Sequence, residues 1–150
     1  MSIIVLLDAG PLGMITNPKS SPENEACKNW LASLAYKGVE VVIPEIADYE
    51  VRRELIRANK ERGISRLDAL KGILRYAPIT TPVMLKAAEF WADARKMGRK
   101  SADDASLDAD MILAAQALAF VSDGAEAMIA TTNVRHLALF ASARIWRDIT

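Results

Sequence analysis

The sequence contains only one cysteine, Cys27, and one histidine, His136, among its 150 residues. A lone cysteine excludes an internal disulfide and is typical of the reducing cytosol, so we expect a cytoplasmic protein. Cys27 is expected to pack as a small hydrophobe. His136 is expected on the surface of a short helix rather than in a catalytic role.

Long hydrophobic runs and an excess of one charge are also missing. No apolar stretch approaches the roughly 20 residues of a membrane span, so we expect no membrane partner. The formal net charge is +0. A neutral chain has no overall field that attracts nucleic acid, so a polyanion would have to be held by a local basic patch or by bound metal. The G-x-G-x-x-G spacing is absent around Gly10 and Gly13, which excludes a dinucleotide fingerprint.

Apolar runs alternate with helical patterns along the whole chain. The sequence predicts strands at 3–7, 39–43, 76–80, 127–131 and 143–149, and helices at 22–37, 44–58, 65–74, 82–97 and 107–121. This alternation predicts an α/β protein with a parallel sheet and helices on both faces. The length fits a single domain, 1–150. Pro78 places the third strand at a sheet edge, because proline cannot donate to a ladder.

The first strand is five apolar residues long and ends at Asp8. A strand without polar alternation is typical of the middle of a covered parallel sheet. Ligands of such sheets bind just beyond the carboxyl ends of the strands, where Asp8 would lie. The alternative is that Asp8 only caps the next turn.

Further polar residues are expected at the same edge of the sheet. Glu50 lies early in the helix after the second strand, Asp108 and Asp110 begin the helix before the 127–131 strand, and Asn133 follows that strand. Oxygen donors without cysteine or nearby histidine favour Mg²⁺ or Mn²⁺. The alternatives are a local ion pair between Glu50 and Arg53 and a helix-dipole role for Asp108 and Asp110.

Four short motifs of the chain resemble those of the PIN-domain ribonucleases, and among them the VapC-like toxins of bacterial toxin–antitoxin pairs. They are IVLLDAGPL at 4–12, IPEIADYEVRR at 43–53, DMILAAQAL at 110–118 and IATTNVRH at 129–136. The resemblance implies a three-layer α/β/α sandwich with a central parallel sheet and a Mg²⁺- or Mn²⁺-dependent endoribonuclease. It makes Asp8, Glu50 and Asp110 the catalytic metal ligands, with Asp108 as an extra acidic residue. Asn133 stands where many relatives carry a fourth aspartate.

The resemblance also implies partners, namely an RNA substrate and a small antitoxin that plugs the crevice, and we expect a homodimer. Between residues 52 and 75, eight Lys and Arg residues stand against three acidic residues. Arg53, Arg57 and Arg66 are our candidates for RNA-backbone contacts. The alternative is that this stretch is only a solvated face. The three tryptophans are expected in the core or at a subunit interface.

Two other functions remain open at this point. A PIN-like domain without cleavage activity could act as an RNA-binding or protein-docking module, which Asn133 and the neutral net charge favour. A phosphate-receiving signalling domain also uses carboxylates at strand ends. It is disfavoured because no lysine follows the late strands, where that site would require one.

Overall fold

The computed structural model of the protein describes residues 3–98 and 104–150. Its sheet contains five parallel strands in the order β3-β2-β1-β4-β5. The strands are β1 (Ile3–Leu7), β2 (Glu40–Pro44), β3 (Arg75–Ala77), β4 (Glu126–Thr131) and β5 (Ala143–Ile145). The parallel sheet, the central place of β1 and the edge position of β3 confirm the sequence predictions. Two strands are shorter than predicted. Strand β3 ends before Pro78, which therefore lies outside it, and β5 ends where Trp146–Asp148 forms a 3-10 turn.

Six helices connect and cover the strands: α1 (Ala9–Thr16), α2 (Pro22–Tyr36), α3 (Glu45–Arg57), α4 (Glu61–Lys71), α5 (Thr81–Lys96) and α6 (Asp104–Ser122). Helices α2, α3 and α5 lie where they were predicted, to within a residue at each end. The Ser21 and Thr80 hydroxyls cap α2 and α5 by accepting backbone N–H bonds. Such caps stabilise a helix start because its first N–H groups have no partner inside the helix.

Helix α1 was not predicted, and two predicted helices begin elsewhere. Gly10 and Pro11 lie inside α1, since proline is well tolerated in a first helical turn. Helix α4 begins at Glu61 and ends at Lys71, whereas 65–74 was predicted. Its Gly63 serves close packing, since a Cβ there would lie 2.7 Å from Leu55 Cδ2. Helix α6 begins at Asp104, three residues before the predicted start at 107, and residues 99–103 lie outside the described residues.

The sheet lies between two helical layers. Alternate side chains of β1 point to opposite faces, as the strand period requires. Val5 and Leu7 pack in a core with α1 to α4, whereas Ile4 and Leu6 pack against α6. Helix α5 packs on the outer side of α6 through a third cluster. This is the three-layer α/β/α sandwich that the resemblance implies.

One buried amide joins the two helices that carry the predicted site. The Gln116 Nε2 donates to the Ala77 carbonyl at 2.8 Å, and its Oε1 accepts from the Ile46 N–H at 3.4 Å. Gln116 therefore fixes α6 against the first turn of α3 and the end of β3. A buried amide satisfied on both sides in this way specifies one packing arrangement, because an unpaired group there would be costly.

Several single-residue predictions can be compared directly. Cys27 is buried, as predicted. Trp30 and Trp146 lie in the core as an edge-to-face pair with ring centroids 5.6 Å apart, which confirms core packing for these two. The surface position predicted for His136 is wrong: it is only 7% exposed, directly before the 3-10 turn Leu137–Leu139. No helix in the described part of the chain is long and apolar enough to span a membrane.

Candidate active site

The predicted acidic residues lie at the carboxyl edge of the sheet. Strand β1 pairs with β2 on one side and with β4 on the other. The direction in which the chain adds strands to the sheet therefore reverses between β1 and β4. Ligand crevices of open α/β sheets lie outside this point. Asp8 ends β1, Glu50 lies in the second turn of α3, and Asp110 lies in the second turn of α6.

Asp8 is held in a single orientation by three bonds. Its backbone N–H donates to the Ala130 carbonyl at 2.9 Å. The carboxylate accepts from the Ala9 N–H and from the Thr131 hydroxyl, both at 2.7 Å. Asp8 therefore caps α1 and also lies at the carboxyl edge of the sheet, so the two interpretations of this residue from the sequence do not exclude each other. Burial raises the pKa of Asp8, and the two hydrogen bonds to its carboxylate oppose that shift.

Glu50 and Asp110 interact with Asp8 electrostatically. Burial raises the pKa of each to about 7, and the negative charge of Asp8 is the second cause of both shifts. Asp110 raises the pKa of Glu50 further, whereas Arg53 lowers it; Arg135 lowers the pKa of Asp110. The three carboxylates thus share one half-buried crevice, where like charges disfavour simultaneous ionisation.

The local ion pair considered for Glu50 is not formed. Within residues 3–98 and 104–150, Glu50 makes no salt bridge, and Arg53 lies instead over the Tyr49 ring, 5.1 Å from its centroid. A half-buried carboxylate without a cationic partner carries an unrelieved desolvation cost. Glu50 therefore needs another explanation, such as a bound cation.

The two remaining predicted ligands are more peripheral. Asp108 is exposed, and it lies about 200° around α6 from Asp110 at the usual 3.6 residues per turn. Asn133 is also exposed, and its Oδ1 accepts from the Arg135 N–H at 3.2 Å, which closes a turn after β4. One lone pair of that oxygen is left for a ligand.

Sequence reasoning missed Thr131 and Gly10 as residues that shape the site. The buried Thr131 hydroxyl donates to Asp8 and accepts from the Asn133 N–H at 3.1 Å, so it links β1 to the loop after β4. A Cβ on Gly10 would lie 2.7 Å from Thr132 Cγ2, so only glycine allows α1 to start this close to β4. The sequence feature that could have indicated Thr131 is the pair of threonines, Thr131 and Thr132, that follows the apolar run of β4.

The donor chemistry fits a hard divalent cation. Among the described residues, no three acidic, histidine or cysteine side chains stand close enough to form a complete metal cage. Mg²⁺ does not require one, because it binds through one or two carboxylates and keeps several waters. Asp8, Glu50 and Asp110 supply such carboxylates, and a cation would relieve the repulsion that raises the pKa values of Glu50 and Asp110.

A groove of about 1080 Å³ runs from Glu50 along α1, the end of α3 and the start of α4. Its floor includes apolar side chains such as Val51 and Leu55, and its walls carry charges of both signs. The basic residues of the groove are Lys19, Arg57, Lys60 and Arg62, and the acidic ones are Glu50, Glu54 and Glu61. The groove is large enough for several residues of a polymer, and of the three crevice carboxylates it is Glu50 that lines it.

Part of the basic stretch 52–75 is neutralised by ion pairs. Arg57 pairs with Glu54 at 2.8 Å, and further pairs join Arg52 to Asp48 and Asp68, Lys71 to Asp48, and Arg75 to Glu40. Of the predicted RNA contacts, Arg53 lies near Glu50, Arg57 lines the groove, and Arg66 is exposed on α4.

Solved structures with a similar fold include chains of VapBC structures and of VapC20. A chain in VapBC2 of Rickettsia felis bound to a promoter DNA fragment matches with a TM-score of 0.72 and 18% identity, covering 94% of this chain and 97% of that one. A chain of VapBC-1 from nontypeable Haemophilus influenzae matches with a TM-score of 0.65 and 16% identity, covering 97% and 99%. VapC20 of Mycobacterium tuberculosis, described as a sarcin-ricin loop cleaving toxin, matches with a TM-score of 0.63 and 13% identity, covering 90% and 94%.

Sequence comparison is consistent with that fold. No curated protein matches the chain. A family profile described as PIN domain matches residues 5–130, which extend from the middle of β1 to the penultimate residue of β4 and include all three carboxylates of the crevice. Because the match extends over most of the chain and the fold is shared with VapC-type structures, the protein belongs to the PIN-domain family.

Proposed function

We propose that the protein is a Mg²⁺- or Mn²⁺-dependent endoribonuclease that hydrolyses RNA phosphodiester bonds, with Asp8, Glu50 and Asp110 as its catalytic residues. The observation that carries this proposal is the half-buried crevice, in which burial and the negative charge of Asp8 raise the pKa values of both Glu50 and Asp110. Stability alone would favour apolar side chains there, so the charges imply a ligand. Membership of the PIN-domain family agrees with a nuclease.

The three carboxylates would have different roles in the proposed RNA hydrolysis. When bound, a divalent cation lowers the pKa of water and stabilises in-line displacement at phosphorus. Asp8 is the most rigid ligand, because Ala9 and Thr131 hold both of its oxygens. Glu50 and Asp110, with pKa values of about 7, can ligate the cation or accept a proton near neutral pH. Asp108 and Asn133 are proposed as outer ligands, since both are exposed.

We further propose that the protein acts as the toxin of a toxin–antitoxin pair. The support is its structural likeness to chains of VapBC complexes. A small antitoxin would lie in the groove beside Glu50, whose apolar floor and mixed charges suit a peptide. We also propose a homodimer; exposed apolar side chains on α5, namely Met84, Leu85 and Trp91, support it.

The second candidate is a PIN-like module that binds RNA or protein without cleaving. Asn133 supports it, because an amide carries no full charge with which to hold a second cation. Metal-dependent catalysis distinguishes the two candidates, since a binding module needs no metal to act.

The experiment is RNA cleavage by the purified protein across a Mn²⁺ titration, with a chelator as control. We expect cleavage that rises with Mn²⁺ and stops with the chelator, and growth arrest on expression without an antitoxin. Tight RNA binding by folded protein with no cleavage at any metal concentration, on any RNA tried, would favour the binding module.

Arg53, Arg57 and Arg66 are predicted to contact RNA phosphates. Replacing one of them by Gln should reduce the slope of log K against log[salt] by about 0.7 for single-stranded RNA, since one fewer counterion is released. The matched control is Lys37→Gln, because Lys37 is equally exposed at the end of α2, on the opposite edge of the sheet. Equal slopes for all four variants and the wild type would show that this stretch is only a solvated face.

A further inference from the structure

An exposed aromatic ring lies next to the candidate active site. Tyr49 directly precedes Glu50 on α3 and keeps 56% of its surface exposed. The Arg53 guanidinium lies over this ring, with its Cζ 5.1 Å from the centroid. Residues three and four apart are neighbours on a helix surface, so Arg53 adjoins both Tyr49 and Glu50. Ring, guanidinium and carboxylate therefore form one continuous strip at the rim of the crevice.

The contacts of this strip leave it available to a ligand. Tyr49 belongs to none of the three hydrophobic clusters of the core. In the part of the chain that the structure describes, Arg53 makes no salt bridge, although its charge lowers the pKa of Glu50. The cation–π contact between Arg53 and Tyr49 places both groups side by side at this surface before any ligand binds.

An aromatic face beside a cation is the combination that binds unpaired nucleotides. Bases stack on aromatic rings in single-stranded nucleic-acid complexes, and arginine adds a cation–π contribution. We propose that Tyr49 and Arg53 form a stacking platform for one unpaired base of the RNA substrate, beside the bond to be cleaved. This inference rests on the proposed ribonuclease function and deepens it, because it assigns the residues that would hold one base beside the bond to be cleaved.

The alternative occupant of this surface is a second protein surface. Charged side chains surround Tyr49 on α3, including Arg52, Arg53 and Glu54. Tyrosine and arginine are also enriched in protein interfaces, so RNA is favoured here by the place of Tyr49, one residue from Glu50 of the proposed catalytic crevice. A duplex is also disfavoured, because its bases are already stacked and paired and cannot reach an external ring.

The experiment measures binding of a single-stranded RNA that carries one 2-aminopurine, whose fluorescence is quenched by stacking. The Asp110→Asn background prevents cleavage during the titration. Tyr49→Ala and Tyr49→Phe are compared in this background with Tyr36→Ala. Tyr36 is the matched control, because it is 94% exposed at the end of α2, at the opposite edge of the sheet.

We expect Tyr49→Ala to weaken binding of single-stranded RNA by roughly 5- to 150-fold, the range for one base–aromatic stack, and to remove the quenching. The RNA affinity of Tyr49→Phe should stay within about twofold of the parent, because stacking needs only a ring. The RNA affinity of Tyr36→Ala should also stay within this range, because Tyr36 lies at the opposite edge of the sheet. The salt slope should not change with Tyr49→Ala, since no phosphate contact is lost, whereas Arg53→Gln should reduce it. A merely structural role of Tyr49 would not produce this combination.

Three results would overturn the proposal. The first is unchanged binding and quenching with Tyr49→Ala. The second is a dimer that becomes monomeric with Tyr49→Ala while RNA affinity stays the same, which would make the surface an interface between copies of the chain. The third is a parent protein that binds no single-stranded RNA; wild-type cleavage of structured RNA in the presence of Mn²⁺ would then still support the proposed function.

Discussion

Asp110→Asn is expected to lower metal-dependent RNA cleavage by at least about a hundredfold, since even outer partners of metal ligands contribute 10- to 100-fold. The substitution keeps the shape of the side chain and removes the charge that would hold the cation. The fold should be unaffected, because a neutral amide relieves the repulsion that raises the pKa of Glu50. The measurement is the initial cleavage rate across a Mn²⁺ titration, with circular dichroism as the test of folding.

Asp123→Asn is the matched control for this variant. It makes the same chemical change at an exposed position directly after α6, at the end of the helix away from Asp110. We expect it to keep the cleavage rate of wild type. Asp108→Asn, at a proposed outer ligand, should lose less activity than Asp110→Asn; an equal loss would mean that the primary ligand had been assigned to the wrong side of α6.

The second large effect concerns stability without metal. Glu50 and Asp110 have folded-state pKa values of about 7, above their ordinary values of 4.5 and 3.8. At pH values between the ordinary and the folded-state pKa, the folded state binds more protons than the unfolded state. The free energy of unfolding therefore decreases as pH rises from about 4 to 7. Above pH 7 both carboxylates are charged in the crevice, and the full cost of their repulsion is present.

Asp110→Asn should therefore stabilise the metal-free protein at pH 8. After allowance for solvent screening at a half-buried position, the gain is about 1–2 kcal/mol. This corresponds to a rise in Tm of roughly 2–8 °C for a domain of this size. The rise should largely vanish at pH 4, where the wild-type carboxylate is protonated.

Thermal unfolding at both pH values, with excess chelator, checks this prediction. The comparison of variant with wild type cancels the contributions that other titrating groups make to the free energy of unfolding. Added Mn²⁺ should raise the Tm of wild type at pH 8 and should raise that of the variant less. A variant that melts lower than wild type at pH 8 without metal would contradict the repulsion on which the site assignment depends.

The sequence predicts the features of the fold that follow from hydrophobic periodicity. A run of five apolar residues indicated a strand covered on both faces, and β1 is the middle strand. The carboxyl-edge rule for parallel strands then predicts that Asp8, Glu50 and Asp110 lie near one another, although 42 and 60 residues separate successive members in the sequence. Their charges act on one another in the structure.

The remaining features depend on tertiary contacts that periodicity does not encode. Gly63 lies inside α4 because Leu55 of the preceding helix occupies the space that a side chain would need. His136 is buried by the packing of the 3-10 turn that follows it, which no local pattern indicates. Thr131 acquires its role only because β4 pairs with β1, since its partner Asp8 lies 123 residues away.

That hydrogen bond between Thr131 and Asp8 also orders events during synthesis of the chain. Asp8 leaves the ribosome early, whereas Thr131 follows 123 residues later, roughly 6–25 s at usual elongation rates. Until then β1 has no β4 beside it, and the crevice lacks one wall together with the donor that orients Asp8. A nascent chain therefore cannot complete the crevice before Thr131 has been translated. The nuclease activity proposed above would accordingly be withheld until β4 pairs with β1.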